Sequence, residues 1–68
     1  MSSLGEDLPV QMAHVRDVLI PQYQSIGPSG AFAIALMRKA LDDAARAMVE
    51  GDLPAMIAAY QTLRDFKA

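Results

Sequence analysis

The sequence predicts an all-α protein: a short N-terminal helix, a Pro/Gly loop, and an antiparallel αα-hairpin. Two observations carry this. Apolar residues recur at helical spacing in three segments, and two sets of breakers separate the segments. The 68 residues allow one domain. They are 53% hydrophobic, with a net charge of −2 and no cysteine. A chain this short seldom supplies a comfortable core by itself, and disulfide staples are absent. The expectation is a helical bundle completed by homo-oligomerisation, a dimer being favoured.

Residues 1–7 are expected to be a flexible N-terminus and 8–20 the first helix. Leu8, Met12, Val15 and Leu19 form its stripe, widened by Val18. Asp7 is the expected cap, Pro9 is tolerated early, and Pro21 ends the helix by pushing its predecessor out of the α region. Residues 21–30, rich in Pro and Gly, read as a loop anchored by Tyr23 and Ile26.

The second helix, over 30–50, is Ala-rich and ends at Gly51, a residue suited to the left-handed C-terminal position. Arg38, Lys39, Asp42, Asp43, Arg46 and Glu50 fall on one side. Ile34, Met37, Leu41, Ala44, Ala45 and Met48 fall on the other. From Ala31 to Met37 no polar residue interrupts the run. A helix end that is apolar all round calls for cover on every side, which a second copy or a partner would give. The third helix, over 53–67, starts at Asp52 with Pro54 in its first turn. Its stripe is Leu53, Met56, Ile57, Tyr60, Leu63 and Phe66. The expected interface comprises Phe32, Ile34, Leu36, Met37, Leu41, Met48, Ile57 and Tyr60.

Groups able to do chemistry are sparse. His14 and Asp17 share a helix face, but no nucleophile or second acid accompanies them, so a solvent-facing pair is the better reading. No metal site is expected with one His and no Cys. The turn Gly27-Pro28-Ser29-Gly30 precedes a helix and could offer amides to an anion, yet it lacks the lysine and strand of a phosphate loop. Arg16, Tyr23, Ile26, Gly27, Ser29 and Gly30 nevertheless stand as a possible ligand or partner loop. Six scattered basic residues make no stripe for nucleic acid. The longest apolar run is too short to cross a membrane, and no signal peptide opens the chain. A cytoplasmic, non-enzymatic protein without cofactors is expected.

The segments His14-Val15-Arg16, Ile20 to Phe32 (IPQYQSIGPSGAF) and Glu50 to Leu63 (EGDLPAMIAAYQTL) have a familiar pattern. It resembles that of small accessory proteins encoded by temperate, transposable bacteriophages. The resemblance implies a category of function: binding and inhibiting one host protein, such as a defence component, a regulator or a motor, in the host cytoplasm. Two alternatives stay open, an oligomeric sponge for a small nucleotide signal and a structural or assembly accessory protein.

Overall fold

The computed structural model describes residues 3–67, and all their regular structure is helical. Helix α1 spans Leu4–His14, a π-helical turn Val15–Leu19, and α2 Ile20–Ser25. A 3-10 turn, Gly27–Gly30, leads into α3 (Ala31–Glu50), and α4 (Leu53–Asp65) follows. None of these helices is long and apolar enough to cross a membrane.

The first helix departs from the sequence expectation at both ends. Its cap is Ser3, not Asp7: the Ser3 hydroxyl accepts the Glu6 amide at 3.3 Å, and the Ser3 carbonyl accepts Asp7 N–H at 2.8 Å. Ser3 and Glu6 have the spacing of a capping box, which is the signal for this earlier start. Positions 4–7 are therefore helical and not a flexible terminus, while residues 1 and 2 lie outside the described residues.

Nor does Pro21 end the helix. Proline interrupts a helix because it lacks an amide and its ring strikes the carbonyl four residues back. Just before Pro21 the ladder widens, and the Ile20 amide donates to the Val15 carbonyl five residues back. This π turn shifts the backbone register by one residue and makes room for the ring. The chain then continues helically to Ser25, so the expected loop over 21–30 is a helical turn and a half followed by a 3-10 turn. Gly27, at φ 75°, supplies the one sharp change of direction.

The later boundaries follow the local signals. Gly51 ends α3 at φ 67°, its amide donating to Met48 and the Asp52 amide to Ala47, which satisfies the last carbonyls. The Asp52 carboxylate accepts the Ala55 amide at 3.2 Å and starts α4 with Pro54 in the first turn. Helix α4 closes at Asp65, so the expected end at 67 is two residues long; Phe66 is extended.

One core joins all the helices. Leu8, Val15, Leu19 and Ile20 come from the first rod, Met37, Ala40, Ala44 and Ala47 from α3, and Met56, Ala59 and Leu63 from α4. Four of these eleven residues are alanine. Small side chains let α3 and α4 pack closely, but they bury little apolar surface each. Among the described residues, only Leu8, Val15, Met37 and Leu63 are large and fully enclosed.

Candidate interaction surface

The apolar residues that the core omits define the surface. Among the described residues, seven large apolar side chains are buried: Leu8, Val15, Leu19, Ile20, Met37, Met56 and Leu63. Nine are exposed: Val10, Val18, Ile26, Phe32, Leu36, Met48, Val49, Leu53 and Ile57. The accessible surface is 4477 Å². A folded monomer of this mass exposes about 4,200 Å² by size scaling, so the chain is slightly over-exposed.

The residues expected at an interface separate into three groups. Met37 is completely buried and belongs to the chain's own core, because α3 turns its Met37–Ala40–Ala44–Ala47 stripe inward. Ile34, Leu41 and Tyr60 are half-buried against that core. Phe32 (76% exposed), Leu36, Met48 and Ile57 face outward. Tyr60 also lies under Arg64, whose guanidinium is 5.8 Å from the ring centre.

Phe32 and Leu36 are one turn apart, so they share a face of α3. Leu36 leads into an open groove of about 520 Å³ between α3 and α4. Ala40, Ala55, Ala58, Ala59 and Phe66 give it an apolar lining, and Lys39, Asp43 and Thr62 contribute the polar positions. Those polar groups are already engaged. Lys39 Nζ lies 2.9 Å from Asp43, Arg46 approaches the same carboxylate at 3.4 Å, and the Thr62 hydroxyl donates to the Ala58 carbonyl at 3.0 Å. Lys39, and then Arg46, hold the Asp43 carboxyl below its usual range.

Val49, Leu53 and Ile57 are further exposed apolar side chains. Val49, 88% exposed, sits among the charged residues of α3. An apolar residue inside the polar arc was the signal available in the sequence. Leu53 and Ile57 lie one turn apart on α4, outside the buried stripe of Met56, Ala59 and Leu63. Sequence periodicity does not separate these two stripes.

The expected ligand loop has a mainly structural arrangement. Tyr23 is half-buried, and its hydroxyl donates to the Lys67 carbonyl, tying α2 to the end of the described chain. Gly30 is buried against the Tyr23 backbone. The Ser29 hydroxyl donates to the Ile26 carbonyl, and Ile26 is exposed. Arg16 is paired with its neighbour Asp17 at 2.8 and 2.9 Å. That hydrogen-bonded pairing raises the Arg16 pKa and lowers that of Asp17. Asp17 is thus bonded to Arg16, and the described residues show no bond between it and His14. No cluster of three or more metal-ligating side chains occurs among the described residues.

The α3–α4 groove is thus lined mainly by apolar side chains, and its polar groups Lys39, Asp43 and Thr62 are engaged within the chain. Comparison with known proteins finds no matching family model, no matching curated protein and no matching solved structure.

Proposed function

We propose that this protein is a non-enzymatic interaction module that acts by covering the surface of another protein. One observation carries the reading: nine large apolar side chains are exposed among the described residues, with Val49 at 88% and Phe32 at 76%. Fully burying such a side chain is worth roughly 1.5–3 kcal/mol relative to full exposure, so covering the most exposed of them, Val49 and Phe32, gains the most. A few anchors, Phe32 first among them, would carry most of that energy.

The resemblance to phage accessory proteins supports a host protein as the target and steric occlusion as the mechanism. Capture from a bacterial lysate tests this. Wild-type protein is expected to retain a host protein that Phe32→Asp or Leu53→Asp releases, with helicity unchanged in both variants. Retention of nothing specific, alongside a nucleotide that raises thermal stability, would replace this reading with the sponge.

A further inference from the structure

We propose that Ile26–Gly30 is an exchange hinge. Opened, it lets the N-terminal rod of one copy, Leu4–Ser25, pack on the α3–α4 hairpin of a second copy, and the reverse, in a domain-swapped dimer. The proposal is independent of the exposed apolar face, because the surfaces that meet are those of the chain's own core.

Those surfaces depend on each other. The rod contributes Leu8, Val15, Leu19 and Ile20, and the hairpin contributes seven residues of which four are alanine. Alanines bury too little area to hold the hairpin without the rod, and a lone rod would expose its four large side chains. Each half therefore needs the other, but nothing in the contact requires both to belong to one chain. The Tyr23 hydroxyl, which donates to the Lys67 carbonyl, also joins rod to the end of the hairpin and can do so between copies.

The hinge, in contrast, is held by little. Ile26, Gly27, Pro28 and Ser29 are exposed, and the hydrogen bond from the Ser29 hydroxyl to the Ile26 carbonyl lies within the hinge itself. Of its five residues, Gly30 alone is buried. Fully extended, five residues span about 17 Å, enough to carry a rod across a helix diameter of about 10–12 Å onto a neighbouring hairpin.

Two glycines decide which form prevails. Gly27 sits at φ 75° ahead of Pro28, and a side chain at a position before proline favours extended backbone. Glycine keeps the closed turn there without penalty. Gly30 lets the Tyr23 carbonyl approach where a Cβ would overlap it. With both glycines in place the closed monomer has an unstrained hinge and keeps the translational freedom that a dimer gives up. A Cβ at either position penalises the closed bend and not the open one. A swapped dimer relieves that penalty in both copies at once.

Size-exclusion chromatography of the full chain, refolded from urea at high concentration, tests the hinge. The dimer fraction is expected to rise from wild type to Gly27→Ala to Gly30→Ala. Because the left-handed penalty counts twice, the Gly27→Ala dimer should be at least about tenfold tighter than wild type. Gly27→Ala, with open space around its Cβ, decides the matter where Gly30→Ala fails to fold. Adding Phe32→Asp should leave the dimers intact. Exchange is read directly by mixing two Gly27→Ala chains, one carrying Leu8→Asp and the other Leu63→Asp, each with a charge in one half of the core. Each alone should lose its helical circular dichroism. Together they should regain the signal of one folding unit, built from the sound rod of one and the sound hairpin of the other. A Gly27→Ala dimer fraction no greater than that of wild type, dimers that vanish with Phe32→Asp, or no gain of helicity on mixing would each overturn the hinge.

Discussion

Gly30 lies so close to the Tyr23 carbonyl oxygen that a Cβ on Gly30 would overlap it, and would also come within 3.2 Å of Ile26 Cγ1. The obstacle is backbone, so it cannot swing aside as a long side chain could. This contact locks the end of α2 against the start of α3, and with it the placement of Phe32.

Gly30→Ala is therefore expected to destabilise the protein by about 2 kcal/mol or more, at the upper end of overpacking costs. Gly27→Ala meets no atom within 4 Å and is penalised only for its positive φ, by about 1 kcal/mol. Urea midpoints for the two variants check the order. A milder effect at Gly30 than at Gly27 would show that the α2–α3 junction can yield.

Leu63 and Phe32 should differ sharply. Leu63 is fully enclosed, so Leu63→Ala should cost about 2–5 kcal/mol. A chain of this length has roughly 3–10 kcal/mol in total, so this variant stands near unfolding. At concentrations where the chain is monomeric, Phe32→Ala should change stability by no more than about 0.5 kcal/mol, as expected for an exposed position. Denaturant titration at low protein concentration separates the two.

Proline inside a regular helix costs about 3 kcal/mol relative to alanine. The π turn ahead of Pro21 has already relieved the ring clash and accommodated the missing amide. Pro21→Ala should accordingly gain well under 3 kcal/mol, and less than about 1 kcal/mol if the π turn persists. A gain near the full value in chemical denaturation would mean that Pro21, and not packing on either side of the turn, maintains the widened backbone.

The ion pairs set a weak acid sensitivity. Asp17 and Asp43 both have folded pKa values below the ordinary 3.8, held down chiefly by Arg16 and by Lys39. A depressed carboxylate pKa contributes stability above the unfolded value, and that contribution is lost as pH falls through the folded one. Helicity measured by circular dichroism should hold from pH 7 to about 4 and decline slightly below it. Because both groups are open to solvent, 1 M salt should flatten the decline. A loss centred near pH 6 would contradict the assignment to these two carboxylates.

Helix type and the later boundaries were legible because their signals are local. Gly51 and Asp52-Leu53-Pro54 end α3 and begin α4 through their own backbone and side-chain chemistry. The helical stretch from Leu4 to Ser25 is less legible, because the Ser3–Glu6 cap starts it ahead of Asp7 and Pro21 does not stop it. Pro21 reads as a stop unless the preceding turn widens, and Leu19 and Ile20, at the end of that turn, both reach the core. The surface was legible only in part. Periodicity marks a helix's apolar side, but it cannot show that the alanines Ala40, Ala44 and Ala47 win the inward position. That choice leaves Phe32 and Leu36 outside.

Affinity capture from a bacterial lysate, with wild-type protein and Phe32→Asp side by side, tests the central claim, that the exposed apolar face is the surface through which this protein binds. Wild type should retain a host protein that Phe32→Asp releases, with helicity unchanged. Equal retention by both, or nothing specific retained by either, would contradict it.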